Sequence, residues 1–354
     1  MKFFTLGKNP FFLILIYILT GCSGAPFYEL PYEFRFPEKK IEFLKKYSQF
    51  IAGKKIFIDP GHGGKDRNNI GYEGTAVEAD INLNVALALR KYLKEAGAEV
   101  LMSRESDTTV DLKARSIMAD LSGADIFISI HHNAPGKEGD YWTDYTSTYY
   151  HAAEKNYEFE PCEKDMAMYI QRDLAYAMRN SGGPGSFDGT YSDYMIYPGE
   201  GFSVLRETVI PAVLIECGFT THRYESRRLN ISEFNEIEAW GIFRGLCRYF
   251  AAGIPQINFL NPGSVFSPED SSAFFSLYDS TGIDTLSVKV QLDSAEAKSF
   301  SFFPETGTLK LNLDEIKPGD HVIRITCSNL NGNHSFPFHQ NIFIKADAIK
   351  REEL

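Results

Sequence analysis

The residues best suited to chemistry in this sequence stand directly after apolar segments that are typical of strands. His62 lies in the glycine-rich turn DPGHGG after KIFID, while His131 and His132 follow the apolar run DIFISI. Glu216 ends the apolar run AVLIE, and Glu78 lies where the loop from the first strand enters a helix. Functional groups of an open α/β sheet collect beyond the carboxyl ends of its strands. The pattern therefore predicts that these imidazoles and carboxylates meet at one edge of a sheet.

Two imidazoles and one carboxylate around a common position are ligands that a catalytic zinc ion takes, with the fourth position left for water. Zinc lowers the pKa of that water to about 7 and polarises a carbonyl, and a nearby carboxylate can take and deliver the proton. A phosphate-binding turn is disfavoured because DPGHGG has neither a Lys-Ser/Thr pair nor the G-x-G-x-x-G spacing. The residues therefore indicate a hydrolytic metal site.

Simpler interpretations exist for each of these residues. His62 fits a solvated turn, and Glu78 fits a helix N-terminus, where the helix dipole favours a carboxylate. A carboxylate that ends a buried strand is costly unless it meets a metal, a water or a cation. For Glu216 the competing prediction is therefore a buried salt bridge to Arg104 or Arg206.

Only one of the two neighbouring histidines is expected to face a metal. Adjacent residues of an extended segment point to opposite sides, so His131 and His132 cannot easily share one ion. The other histidine is then available to contact substrate or to support the ligands. The residues alone leave open which of the two is the ligand.

The segments that position these residues alternate between strand and helix patterns from residue 54 to residue 253. The strand-like runs are apolar on both faces, as in a parallel sheet that is covered by helices. The helix after the first turn has one apolar face, formed by Ile81, Val85, Ala88, Leu89, Tyr92 and Leu93. Another helix at about 162–180 places apolar residues four apart, at Met166, Ile170, Leu174 and Met178. The predicted fold class is α/β, with an open, mostly parallel sheet flanked by helices.

Residues 135–161 interrupt this alternation with glycine, acidic residues and many aromatic residues. A loop of this length in a compact domain is usually functional or disordered. Tyr and Trp side chains at the rim of an active site suit stacking on a sugar or a peptide. The alternative is an element that only packs against the rest of the domain.

The pattern changes to short alternating strands in the C-terminal part of the chain. Apolar residues alternate in two runs, at Leu286, Val288, Val290 and Leu292 and at Leu309, Leu311 and Leu313. Several short strands with turns between them indicate a β-sandwich. Residues 256–346 are therefore predicted to form a small sandwich similar to the Ig-like modules of bacterial surface enzymes, followed by a tail at 347–354.

The N-terminus has the pattern of an export signal. Lys2 and Lys8 precede an apolar run of nine residues, which is too short to span a bilayer. The next four residues, Leu-Thr-Gly-Cys, resemble a bacterial lipobox. The resemblance implies that residues 1–21 are a signal peptide, that cleavage precedes Cys22, and that this cysteine is acylated.

The residues after the cleavage point are predicted to tether the protein to a membrane. Residues 22–53 would provide the lipid anchor, an irregular tether and an amphipathic lead-in helix that starts at Pro37. Ser23 stands where Asp would oppose outer-membrane sorting in lipoproteins of double-membraned bacteria. We therefore expect an exported protein that is lipid-anchored in the cell envelope, at the outer membrane facing the periplasm.

The charge of the chain limits its partners. The formal net charge is −11, and loss of the two leader lysines would make it more negative. Such a surface disfavours nucleic acid and anionic headgroups, so the membrane contact is expected through the lipid. Four cysteines follow Cys22, with neither CxxC spacing nor a dense disulfide pattern: Cys162, Cys217, Cys247 and Cys327. Buried free thiols are favoured over disulfides, although pairing stays open.

Five ordered blocks of sequence resemble one enzyme family. They are IFIDPGHGG, EGTAVEADINLNVALAL, SRESDTTVDLKAR, ADIFISIHHNA and FSVLRETVIPAVLIECGFTT. Their order and spacing are similar to those of the zinc-dependent N-acetylmuramoyl-L-alanine amidases of the type 3 family. The match covers about residues 54–252, which is the whole predicted α/β region.

The resemblance implies a site and a reaction. One zinc ion would be held by His62, Glu78 and His131, with Glu216 as the catalytic acid and base. The substrate would be peptidoglycan, cut between the lactyl group of N-acetylmuramic acid and L-alanine of the stem peptide, in wall remodelling or daughter-cell separation. An activator protein is a candidate partner.

This chain departs from the family pattern at His132, where the family has a small residue. His132, Asn133 and Arg206 are candidate residues for contacting substrate or supporting the ligands. Two other functions stay open at this point. One is a non-catalytic lipoprotein that binds peptidoglycan, and the other is a zinc hydrolase of a different amide.

Overall fold

The computed structural model describes residues 28–346, apart from residues 75, 181–187, 268 and 298. The predicted signal peptide, the predicted acylation site Cys22 and the predicted tail at 347–354 lie outside the described residues. No helix in the described part of the chain is long and apolar enough to cross a membrane.

A six-stranded sheet forms the centre of the N-terminal domain, in the order β2-β1-β3-β6-β4-β5. Its strands are β1 Lys55–Pro60, β2 Glu99–Met102, β3 Ile126–Asn133, β4 Ser147–Tyr150, β5 Thr190–Ser192 and β6 Ala212–Phe219. All neighbouring pairs are parallel except β4 and β6, which are antiparallel. This arrangement confirms the predicted open, mostly parallel sheet.

Helices cover both faces of this sheet. They are α1 Tyr32–Arg35, α2 Pro37–Ile51, α3 Glu78–Glu95, α4 Leu112–Ser122, α5 Pro161–Met178, α6 Ser203–Arg206, α7 Glu225–Leu229 and α8 Ser232–Ala251. Alternate strand residues enter different cores, because successive side chains of a strand point to opposite faces. Ile56 and Ile58 pack with α3, α5 and α8, whereas Phe57 packs on the face covered by α4 and α6.

The helical periodicity of the sequence agrees with the buried faces. Of the predicted apolar face of α3, all but the half-buried Ala88 are buried. The four predicted core residues of α5 are fully buried as well. Gly123 ends α4 in the left-handed conformation, with φ 68°, which glycine adopts without steric cost.

The residues before the first strand pack against the domain. The lead-in helix α2 begins at Pro37 as predicted, and Phe43 meets Trp240 of α8 edge to face, with ring centroids 5.4 Å apart. We expected an irregular tether up to residue 36. Instead α1 lies in this segment, and its buried Glu33 forms an ion pair with Arg244 of α8.

The long segment 135–161 is not wholly a loop. It contains β4, which adds to the central sheet beside β6 and buries Tyr149 and Tyr150. Its first part remains at the surface, where Trp142 is 64% exposed. The packing role therefore applies to β4, whereas stacking of the exposed part on a substrate stays a prediction.

Two sheets form the C-terminal domain and share one core. The five-stranded sheet has the order β11-β10-β14-β15-β8 and the four-stranded sheet the order β12-β13-β9-β7. The strands are β7 Gln256–Phe259, β8 Val265–Phe266, β9 Ser272–Tyr278, β10 Lys289–Leu292, β11 Ala295–Glu296, β12 Phe300–Phe303, β13 Thr308–Asn312, β14 Gly319–Thr326 and β15 Phe338–Ile344. One prediction is wrong here: Leu286 is 93% exposed and precedes β10, so the alternating pattern does not extend to it.

Polar contacts join the two domains. Arg324 of β14 forms an ion pair with Glu160, with 2.9 Å between Nη2 and Oε2, and also donates to the carbonyl of Phe159. Asn333 donates to the carbonyls of Tyr249 and Gly253, which lie at and just after the end of α8. All four cysteines of the described chain are free and buried, which agrees with the favoured prediction.

Candidate active site

Three of the predicted ligands meet at the carboxyl edge of the central sheet. His62 follows β1, His131 lies near the end of β3, and Glu78 begins α3. The distance from Glu78 Oε2 to His62 Nε2 is 3.2 Å, and that from Glu78 Oε1 to His131 Nδ1 is 3.1 Å. One potential ligand atom from each residue lies within 4.8 Å of the other two. Two imidazoles therefore converge on opposite oxygens of one carboxylate.

The DPGHGG turn creates this arrangement through its backbone. His62 has φ 58°, in the left-handed region that a non-glycine residue rarely adopts. Such strain persists only where the surrounding structure imposes it, and it concentrates at functional sites. Gly61 has a second role, because an added Cβ would lie 2.2 Å from Cε1 of His131. The glycine leaves the space that the imidazole of His131 occupies.

Buried charged residues support the DPGHGG turn. Asp59, which is fully buried at the end of β1, accepts hydrogen bonds from Ser103, Ser129 and Arg115. Arg115 also donates to the carbonyls of Pro60 and His62. The SRESD and LKAR motifs thus orient the turn, a role that we did not predict from the sequence.

Polar residues around the cluster orient the three side chains. Asp66 Oδ2 lies 2.8 Å from His62 Nδ1, so this ring donates to Asp66 and keeps Nε2 toward Glu78. Asn69 donates to Glu78 Oε2 at 2.7 Å, and Asn82 donates to Oε1 at 3.2 Å. Sequence analysis missed all three residues. Asn82 has a recognisable signal, since it lies four residues after Glu78 on the same helix face.

The cluster is strongly polarised. Donation of a hydrogen bond to Glu78 raises the pKa of His62 to about 9, although burial opposes this shift. Burial alone would raise the pKa of Glu78, but hydrogen bonds and charges from His131 and His62 together lower it well below its usual value. The carboxylate is therefore ionised at neutral pH and attracts positive charge, which a bound cation would also satisfy.

His132 points away from this cluster into the protein. It is 1% exposed, and its ring lies 2.7 Å from Asn82 Oδ1 and 2.9 Å from Glu238 Oε1 of α8. Its backbone N–H donates to Glu78 Oε1. Contact with substrate, one of our predictions for His132, is excluded by this burial. The residue instead supports Glu78 through its backbone and through Asn82.

A second group of potential ligand atoms comprises His132, Cys217 and Glu238. Both ring nitrogens of His132 already have partners, and Glu238 also accepts from Asn235. Burial raises the pKa of the Cys217 thiol well above its usual value, which disfavours the thiolate that metals bind. The group is better described as a satisfied buried network.

Glu216 lies beside the cluster on the adjacent strand. The parallel register of β3 and β6 pairs it directly with His131. Its Oε2 is buried and, within the described residues, has no hydrogen-bond partner. Burial and the negative charge of Glu78 raise the pKa of Glu216 well above its usual value. A buried carboxylate oxygen without a partner is costly, so this atom has the properties of a group awaiting a water, a substrate or a cation.

The competing salt bridge of Glu216 does not occur among the described residues. Arg104 instead donates to the backbone carbonyls of Pro60, Gly61, Ala79 and Ser106. Arg206 donates to the carbonyl of Glu200 at 2.7 Å and pairs with Glu207 at 3.3 Å.

Two further candidates have different positions. Arg206 lines a surface depression with Asp125 and Pro211, which precede β3 and β6, so it lies at the opposite edge of the sheet from the cluster. The prediction that Arg206 contacts substrate or supports the ligands is therefore wrong. Asn133 lies at the correct edge, two residues after His131, and its carbonyl accepts the backbone N–H of Thr220.

The donor set fits a zinc ion. Ligand atoms about 2.0–2.2 Å from a tetrahedral zinc lie about 3.4 Å from one another. One ligand atom from each of His62, Glu78 and His131 lies within 4.8 Å of the other two, which is compatible with such a set. Two histidines and one glutamate leave a fourth position open, as catalytic zinc sites do. Glu216, whose Oε2 has no partner within the described residues, is paired with His131 on the adjacent strand. These residues could therefore hold one metal ion and place a carboxylate beside it.

Comparisons with known proteins identify one matching family. Residues 56–248 match the family model described as N-acetylmuramoyl-L-alanine amidase. The germination-specific N-acetylmuramoyl-L-alanine amidase of Bacillus subtilis (strain 168) is 32% identical over 232 residues, which cover 61% of this chain and 88% of that protein. The amidase CwlM of Bacillus licheniformis is 36% identical over 199 residues, covering 55% of this chain and 68% of the relative.

Among solved structures, an N-acetylmuramoyl-L-alanine amidase from Clostridium difficile 630 has 31% identity and a TM-score of 0.48 and covers 56% of this chain and 97% of that one. The CwlD amidase from Clostridioides difficile, solved in complex with the GerS lipoprotein, has 27% identity and a TM-score of 0.47, covering 56% of this chain and 99% of the other. The family model spans more than half of the sequence, including every residue of the cluster. This chain therefore belongs to the N-acetylmuramoyl-L-alanine amidase family, whose reaction cuts stem peptides from the glycan of peptidoglycan.

Proposed function

We propose that this protein is a zinc-dependent peptidoglycan amidase that uses His62, Glu78 and His131 as metal ligands and Glu216 as its acid and base. The observation that carries the proposal is the position of the partnerless Glu216 oxygen on the strand beside three converging ligands. A bound zinc ion would supply an activated water and polarise the scissile carbonyl.

The role of Glu216 follows from its surroundings. Its raised pKa is suited to a group that must take a proton from water and then deliver it to the leaving amine of L-alanine. Burial is the main cause that raises the pKa of Tyr145, and the charge of Glu216 adds to it. Burial also raises the pKa of Tyr149, with a smaller contribution from Glu216. These tyrosines therefore remain neutral at physiological pH.

The supporting residues keep the ligands in position. Asp66 holds His62 with Nε2 toward the centre, and Asn69 and Asn82 each bind one oxygen of Glu78. Such contacts typically change metal affinity or activity by about 10–100-fold when they are removed.

Purified sacculi provide the test of this function. Protein freed of metal by a chelator is expected to release no stem peptide, and added zinc is expected to restore release. Mass spectrometry should find peptides with a free L-alanine amino terminus and glycan with an intact lactyl carboxyl group.

Two variants separate the roles of the residues. Glu216→Gln should retain zinc but lose at least about 100-fold in turnover, because general acid–base catalysis contributes at least that factor. His62→Ala should lose zinc. Zinc-independent release, cleavage within the peptide, or full activity of Glu216→Gln would overturn the proposal.

We also propose that the protein acts from a lipid anchor in the envelope, in wall remodelling or daughter-cell separation. The support is the lipobox-like Leu-Thr-Gly-Cys sequence that ends at Cys22, together with Ser23. Cys22→Ser should abolish labelling by radioactive palmitate and remove the protein from the outer-membrane fraction. An activator protein is a further candidate partner, since the CwlD amidase was solved in complex with the GerS lipoprotein. The test compares the stem-peptide release of the purified protein with and without added envelope extract.

A further inference from the structure

An arginine surrounded by aromatic rings lies at the surface of the N-terminal domain. The guanidinium carbon of Arg223 is 4.9 Å from the ring centroid of Trp142, 5.6 Å from that of Tyr72 and 5.8 Å from that of Tyr224. Tyr141 packs edge to face against Tyr72, with centroids 5.0 Å apart. We call these five residues the arginine platform. Three of the rings are well exposed, since Trp142, Tyr224 and Tyr141 have 64%, 57% and 42% of their surface accessible.

Three hydrogen bonds in series link the platform to the metal-ligand cluster. The backbone N–H of Tyr72 donates to the carbonyl of Thr220, and the hydroxyl of Thr220 donates to the side chain of Asn69 at 3.0 Å. Asn69 in turn donates to Glu78 at 2.7 Å. The segments that carry the platform follow β3, follow β6 and precede α3, as the segments of the active site do. The platform therefore lies at the same edge of the sheet as the cluster.

Arg223 differs from its neighbours in how its charge is used. Arg227 pairs with Glu73 at 3.4 Å, and Arg228 forms an ion pair with Glu225. Within the described part of the chain, the guanidinium of Arg223 has aromatic contacts and neither a hydrogen bond nor a carboxylate partner. Rings that contact a guanidinium restrict its rotation while its N–H groups stay free for an acceptor. Its geometry suits a planar anion bound through two parallel hydrogen bonds.

The chemistry of the substrate identifies such an anion. In intact peptidoglycan the lactyl carboxyl group is part of the scissile amide, and the N-acetylated sugars carry no charge there. The negative charges near the cleaved bond are therefore the carboxylates of the stem peptide. We propose that Arg223 binds a stem-peptide carboxylate and makes the protein prefer peptides with free carboxylates over peptides whose carboxylates are amidated. The proposal rests on the proposed amidase function, and it names the part of the substrate that lies on the platform.

Binding and catalysis are measured separately to test the proposal. Two synthetic muramoyl tripeptides are needed, identical except that one has free side and terminal carboxylates and the other has carboxamides. Their dissociation constants are measured by calorimetry on the Glu216→Gln protein, with and without Arg223→Gln. Their kcat/KM values are measured on zinc-loaded protein with Glu216 intact. Arg227→Gln is the matched control, because it removes the same charge four residues away and leaves the platform unchanged.

Free carboxylates should bind about tenfold more tightly than carboxamides, a preference typical of a charge-assisted hydrogen bond. Arg223→Gln should remove this preference and leave the affinity for the carboxamide unchanged, whereas Arg227→Gln should retain it. Equal losses for both peptides, or no loss, would overturn the proposal. The proposal would also be overturned if Arg223→Gln lost binding to an uncharged N-acetylglucosamine tetramer but kept its preference between the two peptides. The platform would then bind glycan. Absence of cleavage by zinc-loaded protein would refute the proposed function, while the binding constants would still decide the role of Arg223.

Discussion

Replacing Gly61 with alanine tests how closely the backbone of the turn is matched to His131. An ideal Cβ at this position would lie 2.2 Å from Cε1, 2.3 Å from Nε2 and 2.6 Å from Nδ1 of the imidazole. Ordinary contacts between such atoms are about 3.5–4.0 Å, so the ring must move by about 1 Å or more. That displacement removes the 3.1 Å approach of His131 to Glu78. We expect Gly61→Ala to weaken zinc binding by at least about 100-fold, because it displaces a ligand. Loss of a residue that only supports a ligand typically costs about 10–100-fold.

The expected cost in stability is smaller than the effect on metal binding. Forcing an extra methyl group into a packed region typically costs about 1–3 kcal/mol, and the half-exposed edge of the site gives the ring room to move. Gly136→Ala is the matched control, because an added Cβ there has no atom within 4 Å. Zinc affinity is measured by competition with a fluorescent chelator and stability by denaturant unfolding. Wild-type zinc affinity in Gly61→Ala would show that the ring position does not depend on this glycine.

Three further substitutions test buried groups, two of them beside the site and the third, Glu163, at the opposite edge of the sheet. Arg115→Met should lower the free energy of unfolding by about 3–5 kcal/mol, because it leaves the fully buried Asp59 without its cation; unchanged denaturant midpoints would contradict this role. His132→Ala should weaken zinc binding by about 10–100-fold with no loss of fold detectable by circular dichroism, since it frees Glu238 and removes support from the ligands; undiminished affinity would refute that support. Burial raises the pKa of Glu163 from 4.5 to about 8. Between these pH values the folded protein keeps a proton that the unfolded chain has released. Stability should therefore fall as the pH rises from about 4.5 to 8, and unfolding of Glu163→Gln at several pH values should show a shallower fall; an identical slope would exclude this contribution.

The fold of the N-terminal domain was predictable where local pattern and burial coincide. Runs such as DIFISI are apolar on both faces, and α3 and α5 have apolar residues at helical spacing, so the layers could be inferred before any contact was known. Segment 135–161 was not predictable in the same way. Its strand β4 is held by pairing with β6 and by burial of Tyr149 and Tyr150, which are properties of neighbours distant in sequence.

The site divides along a similar line. The sequence pattern places His62, Glu78 and Glu216 at one sheet edge, because each ends or follows an element whose carboxyl or amino terminus must lie there. It left open which of His131 and His132 joins them, and only the family resemblance favoured His131. It could not determine how these side chains are oriented. Orientation depends on hydrogen bonds between segments far apart in the chain, such as those of Asp66 and Asn82, and such bonds leave no periodic pattern.

The sequence analysis also misplaced Arg206 and did not identify Arg223, for the same physical reason. Arg206 lies within the ordered block FSVLRETVIPAVLIECGFTT, yet its helix precedes β6 and so lies at the opposite edge of the sheet from the cluster. Arg223 lies on a loop without periodicity, and only the packing of three loops surrounds it with aromatic rings. The sequence by itself determined the chemistry of the ligands and the edge at which they meet, because residue type and strand direction are local properties. Tertiary structure decided which charges are paired and which remain free for a substrate, because pairing depends on distances between separate segments.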